Sequence, residues 1–352
     1  KLNREMDNRH YFIAFLAMLG VMVFIGLLTM PFWIPILIFN SPAIIVVVLL
    51  AKYTRLGGYL EKLYLRIYDW LVYQSESPRR LLWQGFYEFM SWYNQDTDWV
   101  TMNYGYALLT DDGHMIDDYL TEEQDKHECF SLQLYYFITG TNKAFKSLEG
   151  KTIVEIGSGR GGGISFLTRL FKAKKAIGID FSMNQVEFCK SRHSNINQLE
   201  FHQGDAESFT SIASIGENSV DAIINVESSH CYGNIDNFFN EINKALTKDG
   251  VFCFTDFRGS EDMEDLKKKV EEFFIVEKSI DITRNVCHAL KLDTNRRLQV
   301  IEDKCPKIFV PLINKFSGVT GSRVYEELQN GQTLYHAWLL KPKVNGREEA
   351  KR

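Results

Sequence analysis

Thr152-Ile-Val-Glu155-Ile-Gly157-Ser-Gly159-Arg-Gly161-Gly-Gly163 is the stretch that decides the fold. Five β-prone residues, Thr152 to Ile156, run straight into a glycine cluster, and residues 162–171 then read as a helix. Further short β-rich runs follow at Lys175–Asp180, Leu199–Gln203, Val220–Val226 and Gly250–Thr255, the last after an Asp249-Gly250 turn. Helical patterns near 182–193 and 232–247 separate them. Strands alternating with helices are the signature of βαβ units. The expected fold is therefore α/β and Rossmann-like, a mostly parallel seven-stranded sheet with helices on both faces, over residues 97–342. An apolar run from Thr333 to Leu340 reads as the final strand, in which His336 and Trp338 are expected to pack in the core.

The glycines allow a tight turn and a close approach of a ligand to the backbone. A dinucleotide site would show GxGxxG cradling a pyrophosphate. Here Gly157, Gly159 and Gly161 give GxGxG, with Glu155 two residues before the first glycine. A carboxylate is a poor neighbour for a phosphate and suits a phosphate-free ligand with a cationic aminocarboxylate. The next strand ends contribute more acids in register. Asp180 closes the second strand, 25 residues after Glu155, where it can accept both ribose hydroxyls. Asp205 and Ala206 follow the third strand, where a carboxylate can accept from an adenine amino group, and Asn225 sits near the end of the fourth. One such acid would read as a solvated surface charge. The series reads as a site for S-adenosylmethionine, with S-adenosylhomocysteine as its product.

These positions resemble the motifs of the class I methyltransferases. A more specific resemblance spans Trp99 to Lys341. The stretch Asn225-Val-Glu-Ser-Ser-His-Cys-Tyr232 is similar to one in the phthiotriolone and phenolphthiotriolone dimycocerosate methyltransferases, which are lipid O-methyltransferases. So are Arg160-Gly-Gly-Gly163, Thr255-Asp-Phe-Arg258 and Gly318-Val-Thr-Gly-Ser-Arg-Val-Tyr325. Sterol and tocopherol methyltransferases are more distant in pattern. The resemblance implies methylation of a hydroxyl on a long lipid, and with the apolar N-terminal runs the expected acceptor is a lipid-like or quinone-like molecule delivered from a bilayer. By the same resemblance Tyr104, in Asn103-Tyr104-Gly105, closes over the cofactor or lines the substrate channel. An N-terminal apolar hairpin sets this chain apart from that family, so the particular substrate does not carry over.

A hydroxyl is barely ionised at neutral pH and needs a base. His230, on the loop leaving the fourth strand, is the first candidate, since an unperturbed imidazole titrates near 6.5. Glu227 on the same loop is the alternative base, or the group that orients His230. Asp256 and Arg258 are left open between fixing the sheet edge and touching substrate.

Upstream the composition changes sharply. Tyr11 to Met30 is a run of 20 residues without a charge, enough to cross a bilayer core of about 30 Å. Pro31 and Pro35 end it, and a second uncharged run, Ile36 to Ala51, is interrupted by Asn40-Ser41-Pro42. Lys1, Arg4 and Arg9 lie before the pair; Lys52, Arg55, Lys62 and Arg66 lie after it. Positive charge at both ends places both on one face of the bilayer. The expectation is a transmembrane hairpin over 1–52. A cleaved signal peptide would have a shorter apolar region and no second run. Residues 53–96 mix aromatic with basic side chains, as suits helices at the headgroup level, and 343–352 reads as a polar tail. A first residue Lys1 rather than Met hints at a further N-terminal segment.

The net charge of −5, from 45 acidic against 40 basic residues, leaves no basic footprint for nucleic acid. Six scattered cysteines form no CxxC pair and no metal-ligand spacing, so neither structural metal nor disulfides are expected. A reducing compartment follows. A hairpin with its domain on the reducing side fits the mitochondrial inner membrane, slightly favoured, or the endoplasmic reticulum. The expected partners are the lipid bilayer and an apolar small-molecule acceptor. The competing reading is a cofactor-binding but structural subunit of a larger membrane protein complex.

Overall fold

Alternating residues along the central strands face opposite ways, and each face meets its own apolar layer. Ile153, Ala176, Ala222, Ile224 and Cys253 belong to one buried cluster; Val154, Ile177, Ile223, Phe252 and Phe254 belong to the other. A strand has a side-chain period of two, so a run that is apolar at both parities must be covered on both faces. The computed structural model describes residues 99–108, 120, 122–141, 148–212, 214–305, 310, 313, 314 and 317–343. The expected hairpin (1–52), the interfacial segment (53–96) and the tail beyond Lys343 lie outside the described residues. Among the described residues no helix is long and apolar enough to cross a membrane.

Seven strands form one sheet: β1 (Thr152–Ile156), β2 (Lys175–Asp180), β3 (Leu199–Gln203), β4 (Val220–Val226), β5 (Leu246–Gly259), β6 (Phe274–Asp281) and β7 (Thr333–Pro342). Their order is β3-β2-β1-β4-β5-β7-β6. β1 to β5 pair in parallel, and β7 runs antiparallel to both β5 and β6. The strand order reverses between β1 and β4. In open α/β sheets that switch point, at the carboxyl ends of the strands, is where ligands bind.

Helix α1 (Cys129–Tyr136) precedes the sheet; α2 (Gly162–Phe171), α3 (Met183–Arg192), α4 (Ile235–Ala245) and α5 (Ser260–Phe273) connect strands. Helix α6 (Thr283–Lys304) and α7 (Arg323–Gln329) lie between β6 and β7. Capping sets where two of these begin. Ser182 accepts from the Gln185 N–H at the start of α3, and Asn234 accepts from Asp236 and Asn237 at the start of α4. The caps start these helices later than the apolar pattern alone indicates.

The fifth strand differs more. It begins at Leu246, not Gly250, because Asp249-Gly250 is absorbed into an irregularity. Val220 pairs with Leu246 while Ala222 already pairs with Val251. The extra residues bulge out of the ladder and pairing resumes beyond them.

Candidate active site

The turn after β1 is built from backbone. Gly157 and Ser158 both donate to the Ile179 carbonyl, at 2.8 and 2.9 Å, which ties the loop to β2. Gly157, Gly159 and Gly161 all have positive φ, at 72°, 52° and 75°. Two of them are packed from below. A Cβ on Gly157 would stand 2.1 Å from Ser228 Oγ, and one on Gly161 would stand 2.7 Å from the Phe201 ring. Gly159 is different, since a Cβ there would meet nothing nearer than Met102 Sδ at 3.9 Å. The loop is held from beneath and open at its crown, as a cradle for a closely approaching ligand requires.

Glu155 lies under this cradle and is fully buried. Its Oε1 accepts from Tyr135 Oη at 2.6 Å and its Oε2 from the Ile164 N–H, in the first turn of α2, at 3.0 Å. Burial pushes the Glu155 carboxyl up to about 8, against the pull of these two bonds. It organises the turn, and Tyr135, not singled out by the sequence, is its partner. Asp180 closes the other side: Oδ2 accepts from the Gly159 N–H at 2.8 Å and Oδ1 from Ser182 at 2.9 Å. Asp205 Oδ1 accepts from the Glu207 N–H at 3.0 Å, and Ala206 beside it is buried. Asn225 is fully buried, so it underlies the site instead of lining it. Its amide donates to Ile156 O, Ser228 Oγ and Tyr232 Oη, while its Oδ1 has no partner among the described residues.

The segment Trp99–Gly105 crosses from this cradle to the end of β4. Gly162 donates to Val100 O at 3.0 Å, and Arg160 donates through Nε to Trp99 O at 2.6 Å. The Arg160 guanidinium is buried over the Phe188 ring, 3.7 Å from its centroid. Met102 is the residue of the segment beside Gly159. Tyr104 instead sets its ring 5.3 Å from that of Phe257, tilted by 45°, and its N–H donates to Glu227 Oε1 at 2.6 Å.

The loop after β4 is built from side chains. His230 Nδ1 stands 2.9 Å from Asp256 Oδ1, and the His230 N–H donates to Asp256 Oδ2 at 3.0 Å. Asp256 is fully buried and also takes the Ser229 hydroxyl at 2.6 Å and an ion pair with Arg258 at 3.2 Å. Although burial alone would raise it, these cations hold its carboxyl well below the usual range. Burial likewise opposes protonation of His230, but Cys231 and Asp256 outweigh it and raise the imidazole to about 10.

Glu227 does not orient His230; no hydrogen bond joins them. That role falls to Asp256, on the neighbouring strand, because parallel pairing of β4 with β5 sets the two strand ends side by side. Glu227 has a left-handed φ of 47° and accepts on Oε1 from Tyr335 Oη at 2.5 Å as well as from Tyr104. Burial pushes its carboxyl up to about 7. The ring of Phe257 lies between His230, at 4.6 Å, and Tyr335, at 6.0 Å. His336, as expected, is a buried sheet residue, with Nε2 on Ser279 Oγ. Among the described residues no three His, Cys, Asp or Glu side chains cluster as a metal site would require.

This geometry has relatives. Residues 147–332 match the family described as a methyltransferase domain. A fatty-acid O-methyltransferase of Mycolicibacterium smegmatis is 31% identical over 252 residues, spanning 70% of this chain and 85% of that protein. A phthiotriol/phenolphthiotriol dimycocerosates methyltransferase of Mycobacterium tuberculosis is 26% identical over 265 residues, spanning 75% and 93%. The solved structure of geranyl diphosphate methyltransferase with GPP and sinefungin shares the fold at a TM-score of 0.51 and 16% identity, covering 73% of this chain and 99% of that one. With a family match over more than half its length, laid on a glycine cradle at the switch point of the sheet, the chain belongs to the S-adenosylmethionine-dependent methyltransferases.

Proposed function

We propose that this enzyme methylates an oxygen of an apolar, lipid-like acceptor, or of a quinone-like one, presented from a bilayer in which residues 1–52 are anchored. One observation carries the acceptor reading. The charged groups Glu227, His230 and Asp256 are walled by Tyr104, Phe257 and Tyr335, so an oxygen at the end of an apolar body meets both a dry wall and titratable groups. The names of the two relatives, a fatty-acid O-methyltransferase and a methyltransferase of long lipids, support this reading.

The residues present fit the cofactor. The open crown at Gly159 admits a ligand against the backbone, and Asp180, with exposed Phe181 and Met183 beside it, stands where a ribose and its base would lie. When bound, the cofactor supplies a methyl group on a cationic sulfonium. The protein's own part is alignment and exclusion of water, performed by the Trp99–Gly105 segment clamped to both loops. A mitochondrial inner membrane, ahead of the endoplasmic reticulum, is the location we propose, with the domain on the reducing side.

The test is calorimetric titration of the full chain in detergent with S-adenosylmethionine and S-adenosylhomocysteine. Transfer of labelled methyl to long-chain alcohols, fatty acids and quinols is then measured. Micromolar cofactor binding, lost in Asp180→Ala, together with methylation of one of these acceptors is the expected result. A folded chain that binds neither cofactor form would sink the proposal and leave a structural subunit of a membrane complex.

A further inference from the structure

The two candidate bases on the loop after β4 are held in opposite ways. His230 is saturated at Nδ1 and at its backbone N–H by one buried carboxylate, Asp256, which also carries Arg258. Its proton is stabilised, and an imidazole that keeps its proton at neutral pH cannot take another. Glu227 is its opposite. Both of its hydrogen bonds, from the Tyr104 N–H and from Tyr335 Oη, fall on Oε1. Oε2 accepts none among the described residues. The backbone beneath it is left-handed, at φ 47°, in a residue that is not glycine. Such strain is kept where the surroundings over-determine it, and it collects at functional sites. Here the turn holds the carboxylate at the end of β4 by one oxygen, against the Tyr104 N–H and the Tyr335 hydroxyl.

We propose that Glu227, through Oε2, accepts the proton of an acceptor hydroxyl, and that His230 remains a cation fixed by Asp256. The assignment rests on the O-methylation reading above. In the transfer, the acceptor oxygen gains the methyl group, its O–H proton passes to Glu227, and the S–CH₃ bond breaks with its electron pair left on sulfur. A cation and a carboxylate thus become two neutral groups. In a water-excluded site that annihilation of charge is favoured, whereas a neutral imidazole acting as base would leave a positive charge behind. Tyr104 and Tyr335 are positioning residues, since each acts by holding Oε1.

The experiment uses the full chain in detergent, with single-turnover methyl transfer to a long-chain alcohol from about pH 5 to pH 9. Glu227→Gln and His230→Gln are compared with wild type. Glu227→Gln keeps a side-chain oxygen for Tyr104 and Tyr335, and a thermal melt checks its folding. It is expected to lose about 100-fold or more in the transfer rate with cofactor affinity unchanged. In wild type the rate rises with pH through the Glu227 titration, at about 7, in the field of His230, Asp256, Arg297 and the Tyr104 and Tyr335 hydroxyls. His230→Gln is expected to keep an acid limb. A readout independent of turnover is the infrared difference spectrum between acid and neutral pH. It should show a protonated carboxyl band titrating at about 7 that Glu227→Gln lacks, whereas the band of Glu155, raised to about 8, is common to both proteins. Wild-type transfer rates in Glu227→Gln, loss of the acid limb in His230→Gln alone, or no such infrared band would overturn the assignment. A wild type that binds cofactor yet methylates none of the long-chain alcohols, fatty acids and quinols would instead defeat the function reading, and the infrared band would still decide the protonation of Glu227.

Discussion

The turns after β1 and after β4 face each other across the switch point of one sheet, yet they are made of different material. The first is a backbone object: three left-handed glycines, amides donated to Ile179, and one carboxylate beneath. The second is a side-chain object, in which Glu227 is held by Tyr104 and Tyr335 from distant parts of the chain and His230 by Asp256, itself paired with Arg258 beside it. A ligand common to many enzymes can be held by backbone, which does not vary with side-chain identity. An acceptor particular to one enzyme needs side chains. The fold places the backbone part and the side-chain part edge to edge, with Ser228 packed against Gly157 at the seam.

The strongest way to break this contrast is at that seam. Gly157→Val should abolish cofactor binding, a loss of roughly 100-fold or more, because a β-branched side chain at φ 72° is strained and its Cβ collides with Ser228. Calorimetry checks it, and near-normal affinity would mean that the cradle has been misplaced. Asp256→Asn tests the side-chain half alone. It should lower the transfer rate by roughly tenfold with cofactor affinity changed less than about twofold, since it releases the cation beside Glu227 without touching the glycines. A parallel loss of cofactor binding would show that the two halves are not separable.

Tyr335→Phe sharpens the division within the second half. The Tyr335 hydroxyl bond lowers the Glu227 carboxyl, so removing it should raise that group further and move the acid limb to higher pH, with about a tenfold loss of rate below neutrality. An unmoved limb would detach Glu227 from the pH profile.

The smallest effect concerns stability. Glu155 is raised on folding from 4.5 to about 8, so between these values the folded state binds more protons than the unfolded one. Its contribution to stability is therefore full below about pH 4.5 and is lost as pH rises to 8. Glu155→Gln should flatten the fall in Tm across that window by a few degrees. Melts in which mutant and wild type keep parallel slopes would count against a burial-raised Glu155.

Much of the first half is legible in the amino-acid sequence. The bounds of β1 to β4 and the start of α2 follow from β-prone runs broken by glycine, and Gly157, Gly159, Gly161 and Asp180 converge as the alternation of strands and helices requires. The second half is legible only as a set of candidates. The loop after β4 names His230 and Glu227, but not their partners. Asp256 is open between two roles on sequence grounds, and Tyr335 sits in a strand that reads as core. Glu227 and Tyr335 are 108 residues apart, and Tyr104 and Glu227 are 123 apart. No local pattern relates them. The apolar runs before residue 52 remain a reading of sequence, resting on length and on the absence of charge.

What the sequence by itself determined is whatever a few adjacent residues decide together: turn chemistry, strand alternation, the glycine cradle, and the acid that follows a strand. These are short-range effects of backbone sterics and side-chain period. Only the tertiary structure decided which carboxylate orients His230 and which one keeps an oxygen free of hydrogen bonds among the described residues. The order of strands in the sheet brings β4, β5 and β7 ends to one point, and burial there sets the proton affinities of the groups it assembles.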